Sequence, residues 1–140
     1  MADLVARVRF PSPEWEALVA TGFSEAAAAG GSCGASVVLL DLACMGGASN
    51  NPDTAARADA RRVDAVNSLL DEVATQPDVT VAALSSVVCP GGSDGLTIDG
   101  SPVRYDGVHY IRKGAALVWP WLFDELDELD QRLSMSTDDP

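Results

Sequence analysis

Apolar positions change their period along this chain, and each change marks an element. Residues 4–10 (Leu-Val-Ala-Arg-Val-Arg-Phe) alternate around Arg7 and Arg9, as a half-exposed edge strand does. Ser12-Pro13-Glu14 then opens a helix, with a hydroxyl cap, a proline at the first helical position and an acid near the positive end of the dipole. Trp15, Leu18, Val19, Phe23, Ala26 and Ala27 form its apolar stripe, and Gly30-Gly31 ends it. Residues 37–42 (Val-Val-Leu-Leu-Asp-Leu) are an apolar run too short for a helix, which predicts a buried strand of a parallel sheet. Asp41 breaks that run: either it lies near the strand's carboxyl end facing a site or, the favoured reading, it is paired or solvated at the edge.

Residues 45–56 are rich in turn formers and read as a surface loop, long enough to line a cleft. A helix follows from about 56 to 75. Val63, Val66, Leu70 and Val73 form its core-facing stripe, and Asn67 beside them is expected to satisfy a buried hydrogen bond. Gln76-Pro77-Asp78 stops it, and residues 79–84 form a second central strand. Strand, helix, strand requires a parallel pair with a right-handed crossover. Residues 89–105 read as another loop; their glycine clusters match no phosphate-binding pattern. The last helix spans about 112–132, with a buried face of Ala115, Val118, Trp119, Leu122, Leu126, Leu129 and Leu133 and a wet face of acids from Asp124 to Asp130. Pro120 should kink or break it near Trp119. Residues 134–140 form a disordered tail.

Composition narrows the function classes. At 140 residues, 47% hydrophobic and 21% charged, the chain reads as one globular domain with a real core. A net charge of −12 argues against nucleic acid or an anionic membrane as a partner, since either would repel it. No run approaches the ~20 apolar residues of a membrane span. The first residues lack the basic leader and apolar core of a signal peptide, so the chain as written reads as cytoplasmic. Three cysteines and one histidine match no zinc spacing, and neither metal nor cofactor is expected. Cys44 and Cys89 each follow a predicted strand by a few residues. Parallel neighbouring strands would bring both thiols to one sheet end, within disulfide reach; free buried thiols are the alternative in a cytoplasmic chain.

The candidate chemistry lies in Asp106-Gly107-Val108-His109-Tyr110, which holds the only histidine. An imidazole can take a proton from a nucleophile and return it to a leaving group. An aspartate three residues earlier, on a loop, can point the same way, set the tautomer and stabilise the imidazolium. No serine stands in a Gly-x-Ser-x-Gly elbow, and nothing near Cys44 in sequence would lower its pKa enough to make it a nucleophile.

This Asp-x-x-His pair follows the last strand-like segment and precedes a C-terminal amphipathic helix with an early glycine. It resembles the final block of the SGNH hydrolase family, in particular the SGNH domains fused to membrane acyltransferases. The resemblance runs from about Pro13 to Leu129 and includes Arg62-Val63-Asp64-Ala65-Val66-Asn67-Ser68-Leu69-Leu70 and Val88-Cys89-Pro90; Asp-Gly-Val-His is its specific part. It implies an α/β fold, a three-layer flavodoxin-like parallel sheet flanked by helices and lacking its N-terminal strands, with residues 1–133 as the partial domain. It also implies acyl transfer from an ester to water or a carbohydrate hydroxyl, with His109 as general base then acid and Asp106 as its orienting partner. The parent domain would be extracytoplasmic, which favours a Cys44–Cys89 disulfide, and would carry an N-terminal membrane acyltransferase domain. The family's Gly-Asp-Ser nucleophile block and its Gly and Asn blocks precede the region of resemblance, and this sequence contains no Gly-Asp-Ser. Alone, the chain is expected to be inert, and its sheet to expose an apolar edge able to pair in a homodimer. Two alternatives remain: a non-catalytic α/β binding or interaction module (a pseudoenzyme), or an Asp106–His109 pair that only ties a loop to a helix.

Overall fold

The computed structural model describes residues 8–46 and 58–136, which form a mixed α/β chain in two compact units. The predicted strand at 4–10 lies largely outside the described residues, as do most of the 45–56 loop and the end of the tail.

The first unit comprises, in its described part, residues 8–42 and 59–83. Helix α1 (Pro13–Gly31) starts where Ser12 Oγ accepts a hydrogen bond from the Trp15 amide at 3.1 Å. Strand β1 (Val37–Leu40) pairs in parallel with β2 (Val79–Ala82), in register from Val37 opposite Val79 to Leu40 opposite Ala82. Helix α2 (Ala60–Val73) lies between them in sequence, as a parallel pair requires, and is capped by Asp59, whose carboxylate also holds Arg61. Val63, Leu69, Leu70 and Val73 are its buried positions, and α1 packs against it through a face that buries Ala27. Leu18 and Ala26, expected on the α1 stripe, are exposed; the half-buried positions are Trp15, Val19, Ala20, Phe23 and Ser24. Trp15 sets its ring edge-on to Phe10 at 4.9 Å, and the Arg62 guanidinium lies over Phe10 at 5.1 Å. Among the described residues, no further strand pairs with either edge of the β1–β2 sheet.

Asn67 does what its place beside the stripe predicted. Its side-chain amide accepts from Leu42 N at 2.8 Å and donates to Leu42 O at 3.0 Å, taking both backbone groups just beyond the strand. Asn67→Leu keeps the volume and abandons both bonds, so a loss of about 1–3 kcal/mol is expected in urea unfolding.

The second unit comprises residues 43–46, 58 and 84–136 among those described. Helix α3 (Leu84–Val88) ends at the fully buried Val88, and a 3-10 turn (Pro90–Gly92) follows Cys89. Strands β3 (Thr97–Ile98) and β4 (Ser101–Pro102) pair antiparallel around Asp99-Gly100, both at positive φ. Residues 89–105 are thus not a simple loop. An Asp-Gly pair between two strand-forming residues is a strong hairpin signal, but strands of two residues leave no measurable alternation. Helix α4 (Arg112–Ser136) runs through Pro120 without interruption. Pro120 and Ala116, whose carbonyl loses its partner, are both exposed, so the lost bond falls on the solvent side of the helix. Trp119 is 54% exposed rather than buried, and stacks on the equally exposed Phe123 at 5.8 Å. The side turned inward runs through Gly114, Ala115, Val118, Leu122, Leu126 and Leu129, one position away from Trp119. No described helix is long and apolar enough to cross a membrane.

Candidate active site

The site is built on the stretch joining β4 to α4. Leu96 O accepts from Val103 N at 2.9 Å, Ile111 N donates to Val103 O at 2.9 Å, and Arg104 bridges to Tyr110 in antiparallel fashion. Residues 105–109 are therefore the tip of a loop whose two feet are pinned to each other and to the start of α4. Gly107, at φ +77°, turns that tip and lets its backbone rest on the backbone of Gly46, where a Cβ would overlap.

Asp106 organises the tip. Its Oδ1 accepts from Val108 N at 3.0 Å and from His109 N at 2.8 Å, while Oδ2 lies 2.6 Å from His109 Nδ1. The imidazole bond, then the His109 and Val108 amides, hold the Asp106 carboxyl far below the usual carboxylate range. As an ionised acceptor it requires the proton on Nδ1, which leaves Nε2 of the neutral ring as the basic nitrogen. The imidazole is 63% exposed and the carboxylate 34%. Tyr105 stacks on the imidazole at 6.5 Å, with ring planes 21° apart. The arrangement can hold a tautomer and move a proton at Nε2.

Because the folded-state value of Asp106 is depressed, the unfolded chain binds this proton first as pH falls. The stabilisation it provides is complete above the unfolded value, near 4, and is lost as pH drops through the folded one. Ring protonation leaves Nδ1–H donating to the carboxylate. The Nδ1 proton resonance is therefore expected to stay hydrogen-bonded as long as Asp106 is ionised and to lose that bond only where acid protonates the carboxylate.

Cys44 and Cys89 are joined by a disulfide, with Cα atoms 6.1 Å apart; Cys33 is free and exposed. The residue that sequence reasoning missed is Arg104, which is 4% exposed. Its Nε donates to Gly95 O at 2.8 Å, and one terminal nitrogen donates to Cys44 O at 2.6 Å and Gly107 O at 2.9 Å. The other terminal nitrogen lies 3.7 Å from each disulfide sulfur, and the guanidinium carbon sits 5.4 Å from the Tyr110 ring centre. Its only sequence signal is a charge two residues before Asp106, and charged side chains are rarely this buried. Among the described residues, no group of His, Cys, Asp or Glu is placed to hold a metal ion. Comparison with protein-family models, curated proteins and solved structures found no match to this chain.

Proposed function

We propose that this chain supplies the Asp–His part of a Ser-His-Asp triad in an SGNH-type ester hydrolase or O-acyltransferase domain. The observation that carries the reading is the 2.6 Å bond from His109 Nδ1 to Asp106 Oδ2, on a loop whose backbone the same carboxylate fixes. In the proposed reaction, His109 Nε2 takes the proton of a serine as its oxygen attacks an acyl ester. It then returns the proton to the leaving alcohol, and in the second half reaction activates water or a carbohydrate hydroxyl. Asp106 stabilises the imidazolium formed in each half. The serine and the oxyanion donors would come from a Gly-Asp-Ser block and from Gly and Asn blocks, which in the family precede the region of resemblance. Parallel strands are normally covered on both faces and paired within larger sheets, and among the described residues no further strand pairs with β1 or β2. A three-layer flavodoxin-like sheet is the completed form we infer, within an extracytoplasmic domain of a membrane acyltransferase. A second copy of the chain pairing at an open edge is the competing occupant.

A second reading draws on the other carboxylate oxygen. Asp106 Oδ1 ties two backbone amides whatever the imidazole does, so the pair could serve only to shape a loop in a non-catalytic binding module.

The test is to sequence the DNA immediately upstream of Met1 and to assay the polypeptide encoded with it against p-nitrophenyl acetate. A strand followed by Gly-Asp-Ser is expected, with kcat for hydrolysis that falls about 10⁶-fold in His109→Ala. An unrelated upstream sequence, or hydrolysis indifferent to His109, sinks the triad reading.

A further inference from the structure

Arg104 is a buried cation whose five N–H donors are directed at three carbonyl oxygens and two sulfurs. Those acceptors belong to three separate stretches: Cys44, the Cys89–Gly95 turn, and Gly107 at the tip of the candidate active-site loop. We propose that Arg104 is a positioning residue that makes the placement of the Asp106–His109 loop depend on the redox state of the Cys44–Cys89 disulfide. The functional consequence rests on the acyl-transfer reading; the coupling itself does not.

The geometry supports the coupling at each link. One nitrogen of Arg104 bridges Cys44 O and Gly107 O, so a displaced Cys44 backbone takes the guanidinium's hold on Gly107 with it. The other nitrogen touches both sulfurs, and a Cβ on Gly95 would overlap that nitrogen and crowd both sulfurs, so the Gly95 side of the disulfide is full. Reduction breaks the covalent link between Cys44 and Cys89, and two unlinked sulfurs need van der Waals separation, ~3.5 Å or more, which Cys44, Cys89 or Arg104 must take up. Both cysteines are half-buried, not sealed. The reductant is a dithiol: it gives two electrons and two protons, becomes a disulfide, and leaves Cys44 and Cys89 as thiols. In that state the Ser93 carbonyl, 3.3 Å from Cys44 Sγ, is ready to accept from the new S–H.

His109 is the sole histidine, so its imidazole resonances report on the loop without ambiguity. They are to be recorded by NMR with and without excess dithiothreitol, with the Asn67 side-chain amide as a control for folding elsewhere. Reduction is expected to shift the His109 resonances and weaken the hydrogen-bonded Nδ1 proton while the Asn67 signals stay in place. Cys44→Ser/Cys89→Ser should reproduce the reduced spectrum. Arg104→Lys, with its disulfide intact, should already show displaced His109 signals and respond little to dithiothreitol at that residue. His109 signals that stay put after both thiols have become alkylatable, or that are indifferent to Arg104→Lys, overturn the proposal. If dithiothreitol collapses the Asn67 signals as well, the oxidised Arg104→Lys spectrum decides. Ester hydrolysis is read separately, so a failed triad and a failed redox coupling give different results.

Discussion

Asp106→Asn is expected to lower kcat of the serine-containing polypeptide about 10⁴-fold while leaving the loop folded. The substitution is selective because the two carboxylate oxygens have different tasks. Asn keeps an oxygen where Oδ1 accepts from Val108 N and His109 N, so the turn retains its ties. Where Oδ2 now accepts from Nδ1, Asn offers N–H groups instead. Two donors cannot share that position, so the neutral ring moves its proton to Nε2, the atom that must act as base. Asp106→Ala removes both functions and should destabilise the loop as well. Thermal melts beside kcat separate the readings. Full activity in Asp106→Asn excludes the triad role, and equal loss of stability in both variants with no hydrolysis favours the loop-tying role.

The largest stability effect is expected at Arg104. Arg104→Ala leaves Gly95 O, Cys44 O and Gly107 O without their donor and opens a void beneath Tyr110, at a position 4% exposed. Each buried acceptor left unpaired costs about 1–3 kcal/mol, with partial recovery where water enters. A net loss of about 3–5 kcal/mol is a large share of the ~5–15 kcal/mol that holds a domain of this size. Urea unfolding of the oxidised protein checks it. Arg104→Lys restores a charge and some of the donors but not the planar fork, so it should fall between the two. A loss below ~1 kcal/mol in Arg104→Ala would mean the carbonyls find other partners and the clamp does not carry the loop.

Much of the architecture was legible because its causes are local. Ser12 caps α1 through an amide three residues away, and the stops at Gly31 and before Pro77 are short-range chemistry of the same kind. The two apolar runs became β1 and β2, each shorter than the run that announced it, because pairing ends where Asn67 takes the Leu42 peptide and where Leu84 begins α3. The stripes were less exact. Leu18 and Trp119 have the right chemistry for a core, but a residue one step around a helix turns by about 100°, which is enough to change sides. Pro120 broke no helix because its cost fell on an exposed carbonyl.

By itself the sequence determined the helix starts and stops, the parallel order of the two strands, and a carboxylate close enough to His109 to bond it. All of these depend on residues within a turn or two of each other, or on a connection that permits one arrangement. Only the tertiary structure decided that Arg104 is buried and that it spans 60 residues to reach Cys44, while the Cys44–Cys89 pairing, within reach in the sequence, was closed by the fold. Periodicity carries no record of such partners. A buried charge is stable only where distant carbonyls converge on it, and that convergence exists once the chain has folded and not before.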